Sequence, residues 1–302
     1  MKVMQTLYSL ETEASDIDQV KAQKLLLSKI ELSHKLLLYL LQLVTEVALY
    51  AEKDAIRRAG KHLPTDQDLS VNTKIAGNTL IWKIRNDEVF LKAVKDAGLL
   101  SLLPEEQIKR IYQLLVQSAE YVEYNEPGER SKQSEKKILD FIFNGLMLQD
   151  ENILTHLEEH FINWDDDGEN MVVIINNYFS KPTSGLFGRI LSPEKTEFAK
   201  NLLRTVIEKK EVTMEMIRPK LKNWDADRIA SLDLIILQMG ICEFLYFDTI
   251  PTKVTINEYI DLAKEYSTPQ SGQFINGLLD NIHKDLLAAN KIQKRVFRNS
   301  TL

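Results

Sequence analysis

One cysteine in 302 residues leaves Cys242 without a partner, which excludes an intramolecular disulfide and a cysteine-built metal cluster. That usage fits a reducing, cytoplasmic setting. Glycine (11) and proline (8) are scarce, and the glycines never fall into a phosphate-cradling loop. No G-x-S-x-G elbow and no H-E-x-x-H pair occurs either, so hydrolase and zinc-protease chemistry have no sequence to stand on. A cleavable signal is not indicated, because Glu11 and Glu13 arrive before any apolar run. The greasiest stretch, residues 36–50, is interrupted by Gln42, Thr45 and Glu46 and falls short of the roughly 20 apolar residues that span a bilayer. It is expected to be a buried helix face, with no membrane partner. Charge of one sign is missing as well. With 38 basic and 44 acidic residues the net charge is −6, which excludes a surface basic throughout but leaves room for a local phosphate-binding patch.

What remains is helix. Residues 1–59 hold no glycine or proline, and from Ile17 the apolar positions Val20, Ile30, Leu37, Leu41, Val44 and Ala48 recur at helical intervals, predicting one long helix to about Arg58. Further helices are expected at 87–97, 104–121, 131–148, 168–178, 193–208, 213–221, 225–247, 255–266 and 269–289, and no strand. The 180–188 stretch, with Pro182, Gly185 and Gly188, reads as a linker. An internal echo joins Ile162-Asn-Trp-Asp-Asp-Asp167 to Lys222-Asn-Trp-Asp-Ala-Asp227 at an offset of 60, which also aligns Phe143 with Leu203 and Leu157 with Ile217. Two similar helical units would explain it, and so would chance between amphipathic segments.

Polar residues have structural roles to fill first. His156 and His160 lie one turn apart but lack the third ligand of a metal site, so neither a metal nor a cofactor is expected. Asp165–Asp167, followed by Gly168, suits helix capping better than a calcium loop, since the closing acid of such a loop is absent. Thr255-Ile-Asn-Glu258 fits a capping box. Asn257 and Asn276 sit in apolar helical patterns and are expected to be partly buried. Gly277, inside a helix at a cost of about 1 kcal/mol, is expected to permit a close helix approach. Trp224 is expected to be buried at a helix junction. Lys294, Arg295 and Arg298 make a short basic tail around Phe297.

The run from Asn223 to Asp280 carries more than periodicity. Asn-Trp-Asp-Ala-Asp-Arg, an apolar helix containing Asp233 and Glu243, Ile250-Pro251, Val254-Thr-Ile-Asn-Glu258, Leu262-Ala-Lys264 and Phe274-Ile-Asn-Gly-Leu-Leu-Asp280 follow in an order and spacing that resemble the C-terminal half of the NusB antitermination family. Val3-Met-Gln-Thr-Leu-Tyr8 resembles the second half of the first helix of that family. The resemblance implies an all-α, NusB-like helical bundle whose N-terminal region is enlarged. It implies three segments: residues 1–186, holding the first family helix and a long insertion; 187–290, the C-terminal subdomain; and the tail 291–302.

It also implies a non-enzymatic adaptor in transcription antitermination, holding single-stranded, boxA-type leader RNA with NusE, a ribosomal protein, within the elongation complex. The RNA contacts carried over are Lys2, Gln5, Tyr8, Gln273 and Phe274. Trp224, Asp233, Glu243, Asn257, Glu258, Asn276, Gly277 and Asp280 carry over as motif positions, and the helices of 198–247 as the protein-contact region. Two departures matter. The arginine-rich half of the first family helix is not present ahead of Val3, which points either to further residues upstream or to a member that has given up boxA and serves as a protein scaffold. Gln238 stands where members often carry arginine, and residues 270–273 hold no base.

Overall fold

The computed structural model describes residues 1–12, 18–126, 130–183, 185–221 and 229–295. Through these run α1 (Lys2–Thr12), α2 (Gln19–Ala59), α3 (Asp66–Leu69), α4 (Thr79–Arg85), α5 (Glu88–Asp96), α6 (Glu105–Gln117), α7 (Ala119–Asn125), α8 (Lys132–Asp140), α9 (Glu151–His160), α10 (Trp164–Ser180), α11 (Gly185–Gly188), α12 (Pro193–Glu208), α13 (Lys210–Ile217), α14 (Ser231–Tyr246), α15 (Thr252–Tyr266) and α16 (Ser271–Ala288). No strand occurs among the described residues, and the fold is all-α. Two compact units emerge: a terminal unit of Met1–Ile30 with Ser192–Leu302, and a central unit, Glu31–Leu191. The second border falls at 191/192, where 186/187 was expected. The first differs, because residues 1–30 gather with the C-terminal helices instead of with the insertion.

In the central unit α2 forms the spine. Leu36 through Leu41 are all buried, so for six residues every side of the helix meets protein. By length and apolar composition α2 is able to span a membrane, but most of its apolar window is packed inside this core, as for a helix buried on all sides. The stretch 104–121, expected as one helix, breaks at Ser118, whose extended backbone ends α6 while its Oγ accepts from Tyr121 N to start α7. The stretch 131–148 also changes character. After α8 it widens into a π-helical turn, Phe141–Leu146, and closes with a 3-10 turn, Met147–Gln149. Gly145 permits this, since a Cβ there would lie 2.8 Å from the Phe141 ring.

The expected linker is folded. Phe187, on α11, is buried against Phe90 (ring centroids 5.0 Å apart) and Tyr178 (5.4 Å). His156 is held by Tyr39, Nε2 to Oη at 2.6 Å, and stacks on His160. Among the described residues no three potential metal ligands cluster. The three aspartates occupy the first turn of α10, where Asp167 turns inward and accepts from Ser33 (2.7 Å) and Asn163 (2.6 Å).

In the terminal unit α1 buries Val3, Met4, Thr6, Leu7 and Leu10. These join a core built from α12 to α16 with the first turns of α2. Ser192 caps α12 ahead of Pro193, whose missing N–H costs nothing in the first turn. α14 is the centre: each residue from Ile235 to Phe244 is buried. Two glycines make that enclosure possible. A Cβ on Gly240 would meet Leu279 Cδ2 at 2.9 Å, and one on Gly272 would meet the Lys264 stem at 2.9 Å. The echo at offset 60 recurs in burial, with Phe143 and Leu203, and Leu157 and Ile217, all inside. Its second Asn-Trp-Asp, including Trp224, lies outside the described residues.

Candidate RNA- and protein-binding face

The outward side of α1 follows from its inward side. With Val3, Met4, Leu7 and Leu10 committed to the core, the 100° step per residue turns Lys2, Gln5 and Tyr8 into one neighbouring arc on the other side. Tyr8 is 45% exposed, whereas Lys2 and Gln5 are half-buried. The amide Nε2 of Gln5 is enclosed and has no acceptor among the described residues. The start of α1 lies against the end of α15, where Tyr266 Oη donates to Met1 Sδ at 2.8 Å. A short turn then leads from Tyr266 into α16, whose first residues include Gln273, exposed, and Phe274, half-buried against the core. The carried-over residues thus fall on two elements tied at one corner, with Tyr8 about 9 Å further along α1 at 1.5 Å of rise per residue.

That corner is built by hydroxyls the sequence reading passed over. Ser271 Oγ donates to Asp233 Oδ2 at 2.8 Å and receives Thr268 N–H at 3.2 Å; Ser267 and Thr268 hydroxyls lie 3.0 and 2.8 Å away. Asp233 therefore ties the start of α14 to the start of α16, while its Oδ1 is buried without a partner. The signal was present in the run Ser267-Thr268-Pro269-Gln270-Ser271, side chains that favour helix entrances.

Glu243, the second acid of α14, is buried in the same unit. It accepts from Thr255 Oγ1 at 2.7 Å and Tyr259 Oη at 3.0 Å. Burial pushes its carboxyl above the ordinary range, against those hydrogen bonds and the charge of Lys294, which pull it back. This overturns the capping box: α15 begins three residues earlier, at Thr252, and Thr255 spends its hydroxyl on Glu243. Glu258 is exposed, as are Asn257 and Asn276, both expected to be partly buried. Gly277 is also exposed, and nothing lies within 4 Å of the place its Cβ would take. The close helix approach is at Gly240 and Gly272 instead. Asp280 is half-buried and paired with Lys284 at 2.6 Å.

Gln238 is buried and presents nothing to a phosphate. Within 198–247, the outer residues of α12, α13 and the ends of α14, among them Tyr246 at 45% exposed, are open to a partner. The basic tail is only in part described, and Lys294 and Arg295 are engaged within the protein. Lys294 Nζ donates to the carbonyls of Glu243 (2.8 Å) and Phe247 (2.7 Å) at the end of α14, and Arg295 pairs with Asp248 at 2.6 Å. Lys294 thus serves as a C-terminal helix cap. Arg298 and Phe297 lie outside the described residues.

The NusB family profile matches residues 172–284, which takes in α12 to α15 whole and α16 as far as Lys284, and begins well ahead of Phe198. Over 106 residues the chain is 38% identical to the transcription antitermination protein NusB of Bacillus licheniformis, covering 82% of that protein and 35% of this chain. The chain belongs to the NusB family. It is also 44% identical over 95 residues to the NusB of Methylacidiphilum infernorum (32% of this chain, 66% of that protein). The NusB of Finegoldia magna is 47% identical over 88 residues (29% and 64%). The chain thus spans just under two thirds of the length of these last two curated relatives. No solved structure matches. As a NusB member it is lengthened: residues 31–171, most of the central unit, fall outside the family profile.

Proposed function

We propose that this NusB member is a cytoplasmic, non-enzymatic adaptor in transcription antitermination, binding single-stranded boxA-type leader RNA together with a NusE-type ribosomal protein in the elongation complex. The observation that carries the proposal is α1. It folds into the terminal core from the far end of the chain and sets Lys2, Gln5 and Tyr8 on its outer arc, Tyr8 exposed and the other two half-buried, beside the α15–α16 corner that holds Gln273 and Phe274. An exposed ring and a cation on adjoining turns suit an unpaired base and its phosphate, since single strands are read by stacking together with backbone contacts. Partner contact is assigned to the helices of 198–247, and the outward Asn276–Gly277 step of α16 offers it a further surface. The cost of a helical glycine, about 1 kcal/mol, is repaid there by nothing inside the chain, and bare backbone lets a second protein come close.

The test is fluorescence anisotropy of a labelled boxA-type RNA with the purified chain, alone and with a NusE-type protein, across a salt series. Binding should weaken with salt, and Lys2→Gln should lower the slope of log K by about 0.7, one phosphate contact on a single strand. Tyr8→Ala should cost about 1–3 kcal/mol if its ring stacks on a base. Retained binding of the ribosomal protein with no RNA affinity at any salt would refute the RNA part and leave a protein scaffold.

A further inference from the structure

We infer that the cleft between α8 and α10 of the central unit is a docking site for an extended, basic segment of a partner protein. Charge is the first ground. Residues 31–191 hold 18 Lys and Arg against 25 Asp and Glu, a net charge of −7, whereas the rest of the chain is close to neutral with 20 against 19. The insertion therefore carries all of the protein's excess negative charge. Such a surface repels phosphates and draws cations.

The second ground is the cleft itself. It encloses about 600 Å3 and is lined by Lys136, Asp140, Phe141, Asn144, Gly145, Asn176, Asn177 and Ser180. Its wall is the π-helical turn Phe141–Leu146, a widening that recurs at functional sites because it costs regular hydrogen bonding. Asn144 Nδ2 donates to Asn176 Oδ1 at 2.9 Å, which leaves an amide carbonyl on one and an N–H on the other for a ligand. A peptide unit offers the complementary acceptor and donor, so a pair of carboxamides on facing helices matches extended main chain.

The third ground is Asp140. Among the described residues its Oδ1 is buried with no hydrogen-bond donor, and its Oδ2 has Lys136 at 3.7 Å on an exposed side chain. A guanidinium or ammonium from the docked segment pairs with the carboxylate at Oδ2, the side of Asp140 that is about a third exposed. The Phe141 ring, set against Gly145, gives the stem of that side chain an apolar surface to lie on.

The experiment is fluorescence polarisation of the full chain with a labelled peptide of alternating glycine and arginine. Asn144→Ala with Asn176→Ala, and Asp140→Asn, should each weaken binding at least about tenfold. Glu158→Gln with Glu159→Gln, exposed acids of α9 outside the cleft, should change it less than about twofold. Asn177→Ala, an exposed cleft residue, serves as the milder variant should the double one unfold. N-methylation of the peptide backbone should abolish binding. Equal losses at the α9 pair and the cleft pair would reduce the attraction to diffuse charge and overturn the proposal. So would equal binding of a glycine–glutamate peptide, or displacement of the peptide by single-stranded RNA. The cleft and the proposed RNA contacts lie in different units, so failure of one leaves the other standing.

Discussion

Thr255→Val is the substitution that most directly separates the observed role of Thr255 from a capping role. Valine matches threonine in shape and removes only the hydroxyl that donates to Glu243 at 2.7 Å. Thr255 and Glu243 are both buried, so water does not replace the lost donor. A hydrogen bond to a charged group contributes about 1.5–3 kcal/mol, and that range is the expected loss at neutral pH. The pH dependence has a definite sign. Burial already raises the Glu243 pKa above its ordinary 4.5, so the folded protein pays for ionising it. Stability from this group is greatest below 4.5 and falls as pH rises through the raised folded value. Removing Thr255 Oγ1 lifts that value further. The cost of Thr255→Val should therefore be large at pH 7 and shrink towards pH 4. Hydrogen exchange of α14 and α15 amides reads the terminal unit separately from the central one. Thr255→Ser should recover most of the loss, and Tyr259→Phe, which removes the donor at 3.0 Å, should couple to Thr255→Val in a double-mutant cycle. A loss below about 0.5 kcal/mol, or one of equal size at both pH values, would refute the buried hydrogen bond.

Three more outcomes are expected. Phe187→Ala should cost about 3–5 kcal/mol in the central unit and open residues 181–189 to proteolysis; an unchanged denaturation midpoint and cleavage pattern would return that stretch to the status of a linker. Gly240→Ala should cost about 1–3 kcal/mol by driving a methyl into Leu279, whereas Gly277→Ala, with open space around it, should raise stability by up to about 1 kcal/mol; chemical denaturation of both variants checks the contrast. Lys294→Met should remove the cap on α14 at a cost of about 0.5–1.5 kcal/mol and speed exchange of its last amides, leaving the salt slope of RNA binding unchanged; a lowered slope would make Lys294 a phosphate contact.

Helix existence was legible from local chemistry. Ser192-Pro193 starts a helix at the expected residue, and the absence of glycine and proline through residue 59 foretells α2 to within two residues of each end. The inner face of α1 could be read the same way. Breaks at Ser118 and Phe141 could not, because each depends on what a side chain meets: an amide one turn on for Ser118, the gap over Gly145 for the Phe141 ring.

For the candidate face the division is sharper. Motif order placed the chain in its family and marked Asp233 and Glu243, whereas local pattern expected Asn257 and Asn276 partly buried, a close helix approach at Gly277 and a cap at Thr255, and the structure has none of these. Periodicity states which side of a helix is apolar. It is silent on which neighbour covers that side, and on where along the crossing two helices come closest. Only the packed structure brings α1 into one core with α12 to α16 across the whole central unit, puts the tight crossings at Gly240 and Gly272, and turns Gly277 to solvent. The physical reason is that backbone hydrogen bonds and caps are satisfied within a few residues of sequence, whereas burial is satisfied by whatever apolar surface lies nearest in space.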